Sequence, residues 1–177
     1  EIREKLGSNP IPLQIPIGAE EKFQGVVDLI KFKAVRWQDD QKLGSTFTES
    51  EVPAELLEEA TEWRNKMVEA LAETDDTLLE RFFEDPASIS VEELMSAVRK
   101  ATISMTIIPV LCGSSFKNKG VQSLLNAVAA YLPSPLDKGI IEGTNPNTDE
   151  VVTRKPDDSE PITALAFKIA TDTYVGR

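Results

Sequence analysis

The chain has 177 residues, 41% of them apolar, with a net charge of −11, a single cysteine and no histidine. That supplies a core for one ordinary domain or slightly more and excludes a disordered chain. It also excludes an internal disulfide, a membrane span of the roughly 18 apolar residues that one requires, and the histidine-based acid–base and metal chemistry commonest in enzymes. A reducing compartment is the simpler expectation for such cysteine usage, and no stretch resembles a signal peptide. The charge is uneven: residues 49–85 hold 13 acidic and 3 basic side chains. An acidic domain is a poor direct binder of nucleic-acid backbones, but a local acidic face can steer a basic protein partner.

The first six residues read as the end of a helix stopped by Gly7, and the chain is expected to be interior to a longer protein. Residues 10–18 alternate apolar and other side chains, and Pro10, Pro12 and Pro16 suit a strand entry or a sheet edge. The pattern predicts a strand over residues 23–32, with residues 33–38 continuing it through Val35 and Trp37. A turn at 39–44 and β-favouring residues 46–48 then predict an antiparallel hairpin. Helical spacing follows. Pro53 suits a first helical position, with Leu56, Leu57, Ala60, Trp63, Met67, Val68 and Leu71 as the core face. A second helix begins at Asp75 and Asp76 and runs through Leu79, Phe82 and Phe83. Ser90 and Glu93 form a capping box that opens a third helix to about Met105, with Leu94, Val98 and Ile103 inward.

Residues 107–111 are an apolar run of the length of one buried strand, stopped by Cys112, Gly113, Ser114 and Ser115. From Val121 the spacing becomes helical, with Val121, Leu124, Leu125, Val128, Ala129 and Leu132 on one stripe, ended by Pro133 and Pro135. In open parallel sheets ligands sit beyond the carboxyl ends of strands, and the loop 113–119 lies at such an end. Cys112, with apolar neighbours and no histidine to pair with, reads as an inert thiol. Residues 136–161, rich in Gly, Pro, Asn and Asp, read as linker. Residues 162–170 alternate again as a strand, expected to open a further domain. The fold class is therefore α+β or mixed α/β: a hairpin-containing mixed sheet packed with three or four helices, a strand–loop–helix unit and a terminal strand.

The string Cys112-Gly113-Ser114-Ser115-Phe116-Lys117-Asn118-Lys119-Gly120-Val121-Gln122 resembles the last guanine-contacting loop of elongation factor G, the GTPase that drives translocation on the ribosome. The family usually reads Ser-Ala-Phe in the middle, where this chain has Ser114-Ser115-Phe116. Further strings extend the resemblance over nearly the whole chain. They are Gly18-Ala19-Glu20-Glu21, Gly25-Val26-Val27-Asp28-Leu29, Tyr131-Leu132-Pro133-Ser134-Pro135, and Ala164 to Asp172. Thr173-Tyr174-Val175-Gly176 stands where the family often has Pro-Phe-Val-Gly.

The resemblance implies that residues 1–9 and 106–135 are pieces of a P-loop GTPase-type domain, 10–105 its insertion subdomain, 136–161 a linker, and 162–177 the start of a β-barrel second domain. It implies that backbone N–H groups of Ser114 and Ser115 face the guanine O6. It implies that Glu55, Glu58 and Glu62, spaced three and four apart, dock the lysine-rich C-terminal domain of the ribosomal stalk protein. GTP or GDP with Mg would serve the whole protein, with none expected on these residues alone. The sequence holds no G-x-x-x-x-G-K-[ST] phosphate loop and no Asp-x-x-Gly motif, and Val121 stands where an Asn-Lys-x-Asp motif needs its acid. Catalytic residues and metal ligands are therefore not expected within it, GTP hydrolysis being assigned to the whole protein. A cytoplasmic monomer acting at the ribosome, away from membranes and without direct nucleic-acid contact, is the expectation. The alternatives are a peptide release factor 3-type GTPase, which the loop and tail fit less well, and an acidic protein-binding module with no nucleotide role.

Overall fold

The computed structural model describes residues 2–38, 46–85, 88–166 and 168. They form two compact units, Glu1–Leu132 and Pro133–Arg177. In the first unit, helix α1 (Ile2–Leu6) ends at Gly7, whose positive φ of 62° lets its N–H return to Arg3 O. Strands β1 (Pro10–Pro12) and β2 (Gln14–Ile17) are one extended segment that changes partner at Leu13. Leu13 N–H donates to Val110 O while its own carbonyl accepts from Leu29 N–H. β1 pairs in parallel with β6 (Ile108–Val110). β2 is the edge of an antiparallel sheet of order β2-β3-β4-β5, with β3 at Gly25–Asp28, β4 at Lys33–Trp37 and β5 at Phe47–Ser50. An edge strand tolerates Pro16, which has no N–H to give.

Strands β2, β3 and β4 carry buried side chains on both faces, whereas β5 is exposed along its length. Ile15, Ile17, Val27 and Ala34 join the main core with Met67, Leu71, Leu94 and Val98 of helices α2 (Leu57–Ala72) and α4 (Val91–Ile103). The opposite face gives a smaller core of Phe23, Val26, Val35 and Trp37, against which Cys112 packs. Helix α3 (Asp76–Glu84) begins at Asp75, whose carboxylate accepts from Thr77 and Leu78 N–H. The capping box of Ser90 and Glu93 is present at the start of α4. Helix α5 (Val121–Tyr131) contributes Ala127 and Tyr131 to the main core. No helix among the described residues is long and apolar enough to cross a membrane.

The elements differ from the sequence expectation in specific places. Residues 23–32 are not one strand: β3 stops at Asp28 and the chain reverses into β4. The Asp28 carboxylate accepts from Ile30 and Lys31 N–H at 2.9 Å each, Phe32 takes φ 56°, and Arg64 donates to the carbonyls of Leu29 and Ile30. The turn contains neither Gly nor Pro, and Leu29 and Ile30 are buried within it, so its pattern looks like a strand. Pro53 caps a 3-10 turn, Ala54–Leu56, and the α-helix starts only at Leu57, whose side chain is exposed. In α3 it is Leu78 that is fully buried, while Phe83 points to solvent. Ile103 is only half-buried; Ala101 and Thr102 take the inward positions. β6 is half-buried because β1 is its one strand partner among the described residues. The apolar stripe of α5 is exposed at Leu124, Leu125, Val128 and Leu132.

In the second unit, Ser134 and Asp137 cap the short helix α6 (Pro135–Lys138). Strands β7 (Ile141–Thr144) and β8 (Val151–Arg154) then form an antiparallel hairpin within the stretch read as linker. Asn145 organises its loop, accepting from Thr148 and Asp149 N–H on its carbonyl and from Asn147 N–H on its side chain. The turn expected at 39–44 lies outside the described residues; of the strand expected over 162–170, residues 167, 169 and 170 do as well, and the described residues 162–166 and 168 carry no regular element, so no strand forms in them.

Candidate functional site

The loop at the carboxyl end of β6 is closed on itself. Ser114 N–H donates to Lys119 O at 2.8 Å and Lys119 N–H returns to Ser114 O at 3.0 Å. The two limbs touch because glycine stands at each crossing point. A Cβ on Gly113 would meet Lys119 O at 2.8 Å, and one on Gly120, where φ is +89°, would meet Cys112 O at 2.9 Å. Between the limbs, a 3-10 turn (Ser115–Lys117) is closed by Lys117 N–H to Ser114 O and Asn118 N–H to Ser115 O. Asn118 then takes the left-handed conformation, which asparagine tolerates well.

This geometry separates the two serines. The N–H of Ser114 is committed to Lys119 O. Ser115 occupies the first position of the turn, where an N–H has no helical partner, and its N–H has none among the described residues. Ser115 is exposed and the Phe116 ring beside it is entirely so. The loop therefore presents a fixed backbone donor beyond a strand end. The Cys112 thiol is pushed up by burial and donates to Gln14 O at 3.6 Å, as suits an inert packing group.

The loop is fastened by hydrogen bonds to β2 and to the turn that leads into β3. Besides its thiol, Cys112 gives its N–H to Gln14 Oε1 at 3.2 Å. Lys117 Nζ donates to Glu21 O at 3.4 Å and Lys119 Nζ to Phe23 O at 3.3 Å. Lys119 is buried, which no periodicity in its polar surroundings announces. A second feature the sequence did not reveal is a cleft of about 270 Å³ lined by Gln14, Asp28, Asn126 and Tyr131, among others. Burial raises the Asp28 carboxyl above its usual range. The Tyr131 phenol is pushed up to about 12, first by burial and then by the Asp28 charge.

The three glutamates of the acidic face are all exposed. Glu58 and Glu62 share one face of α2 at i and i+4. Glu55 stands in the preceding 3-10 turn, so α-helical spacing does not align it with them. Glu62 is bridged to Lys66 at 2.5 Å, and that ammonium also lies 5.0 Å above the Trp63 ring. Among the described residues no group of three or more Cys, Asp or Glu side chains is placed to hold a metal ion.

No family model matches the chain. Among curated proteins it is 59% identical to elongation factor G of Amoebophilus asiaticus (strain 5a2) and 56% identical to elongation factor G of Cytophaga hutchinsonii, both over all 177 residues. The chain spans about a quarter of the length of these relatives, 25% in each case. A crystal structure of a Thermus thermophilus protein superposes on 77% of the chain and 20% of its own, with a TM-score of 0.64 and 31% identity. Over its whole length, the chain belongs to the elongation factor G family.

Proposed function

We propose that the chain supplies the guanine-reading end and the insertion subdomain of a GTPase that drives translocation on the ribosome in the cytoplasm. Residues 1–9 and 106–135 belong on this reading to the nucleotide-binding domain, 10–105 to its insertion, and 162–177 to the next domain. GTP or GDP and Mg would be held mostly by residues beyond this sequence, which itself lacks the phosphate loop. The observation that carries the reading is the closed loop of residues 113–120, with the Ser115 N–H exposed and unclaimed among the described residues. A guanine O6 accepts from such a donor, whereas an adenine amino group is repelled by it. Ser114 acts by closing the loop on Lys119, so the base-facing donor is Ser115. The exposed stripe of Leu124, Leu125, Val128 and Leu132 supports it too, as the face expected of a helix built to pack against more of its domain.

Ser115→Pro tests this with little cost to the fold. Proline is accommodated at the first position of a helical turn, and the preceding residue, Ser114, is already extended at φ −130°, ψ 101°. The substitution deletes the N–H that the loop itself does not use. In the full-length protein it should weaken GDP binding by about tenfold or more while leaving the melting temperature nearly unchanged. Unaltered GDP affinity would defeat the reading.

The insertion has a second role in this proposal, docking the basic C-terminal domain of the ribosomal stalk protein on Glu58 and Glu62, with Glu55 at the flank. Its support is their exposure together with the 13 acidic residues between 49 and 85. Exposed pairs contribute about 0–1 kcal/mol each, so the contact is weak, fast and salt-sensitive. An NMR titration with that domain should shift these three residues at low salt and not at high salt. Shifts elsewhere, or none at low salt, would remove the docking role.

A further inference from the structure

We infer that Lys119 is a positioning residue for guanine recognition, its buried ammonium fastening the base-reading loop to the insertion sheet. The inference rests on the proposed guanine contact of Ser115. Lys119 is 3% exposed, and burying an ammonium is costly unless the protein returns hydrogen bonds to it. Nζ donates to Phe23 O at 3.3 Å. That acceptor is itself immobilised: Phe23 N–H donates to Glu20 O, and the Phe23 ring sits in the small core with Val26, Val35 and Trp37. The same core takes up Cys112 at the other root of the loop.

The backbone of Lys119 makes both hydrogen bonds that close the loop on Ser114. One residue thus joins the limb bearing the Ser114 carbonyl and N–H to a carbonyl 96 positions away. Ser115 follows directly, so the direction of its N–H depends on where Lys119 holds Ser114. Lys117 makes a similar reach to Glu21 O at 3.4 Å, but from an exposed position where solvent competes. Lys119 is the contact that water does not replace. The insertion sheet is by this route part of the machinery that orients the base-reading donor.

The test compares two nucleotides in the full-length protein: GDP, and a GDP analogue with hydrogen in place of the guanine O6. Dissociation constants are measured for the wild type, Lys119→Met and Lys119→Arg. The wild type should prefer GDP. Lys119→Met, which keeps the apolar stem and loses the ammonium, should weaken GDP about tenfold and leave the analogue within about twofold, collapsing the preference. Lys119→Arg should retain most of it. An unchanged GDP-to-analogue ratio in Lys119→Met overturns the inference, as does an equal loss for both nucleotides, which marks a merely structural lysine. Should Lys119→Met fail to fold, the ratio is read on Lys119→Gln, whose shorter, uncharged amide should lose much of the preference; an unchanged ratio there overturns the inference equally. A wild type that does not distinguish GDP from the analogue defeats the Ser115 reading instead, a result separate from any effect at Lys119.

Discussion

Helices α4 and α5 carry equally plain apolar stripes, and they meet different fates. In α4, Leu94, Ala97, Val98 and Ala101 are all buried in the main core, where the helix packs against α5, α2 and β6. In α5, the predicted stripe of Leu124, Leu125, Val128 and Leu132 faces solvent, and the helix is held by Ala127 and Tyr131 on another side. Amphipathic spacing states that a face wants cover; it does not say that the cover is within reach. The difference sets a helix whose apolar stripe is covered apart from one, in the strand–loop–helix unit, whose stripe is not.

Leu94→Ala should produce the largest effect. Leu94 is fully buried, and deleting its side chain should cost about 2–5 kcal/mol, measured by urea unfolding. Asp75→Ala comes next. It removes the cap of α3, worth about 1 kcal/mol, and the 2.9 Å pair with Lys100, whose exposed position adds little. The Lys100 hydrogen bond, with the capped N–H groups, holds the Asp75 carboxyl below its ordinary 3.8. The stability it contributes is therefore present above pH 3.8 and lost as pH falls through the lower folded value; the variant should lack that acid-side loss.

Asp28→Asn probes the turn with a smaller change of opposite sign. Burial raises the Asp28 carboxyl above 3.8, so the folded state holds that proton more tightly. Its contribution is full below pH 3.8 and declines as pH rises through the raised folded value. Asparagine keeps the oxygen that accepts from Ile30 and Lys31 N–H. Melting temperature at pH 7 should rise slightly, and its decline above pH 3.8 should flatten. Leu125→Ala should change least. At 63% exposure, its removal from the 177-residue chain should fall within about 0.5 kcal/mol. In the full-length protein, where the proposed function has this face covered, it should cost about 2 kcal/mol or more. Equal costs for Leu94 and Leu125 in the short chain would erase the contrast between the two helices.

Local chemistry was readable from sequence, and remote clamps were not. Ser90 and Glu93 announced their capping box because both partners lie within one turn. The string of residues 112–122 was recognisable because its glycines and serines are fixed by contacts inside the loop. The 28–32 turn was hidden because its guanidinium clamp, Arg64, comes 34 and 35 positions later. Lys119 was hidden for the same reason, its acceptor being 96 positions earlier. Glu55 was misaligned because a 3-10 turn has a different angular step from the α-helix that follows. The hairpin β7–β8 read as linker since β7 is exposed along its length and β8 has no fully buried position.

The role of Ser115 is tested most directly by a crystal structure of the full-length protein with GDP bound. Ser115 N is expected within about 3 Å of the guanine O6, with Ser114 N–H still on Lys119 O and the Lys119 ammonium still on Phe23 O. A guanine O6 met by a side chain or by water, with Ser115 N–H turned away from the base, would contradict it.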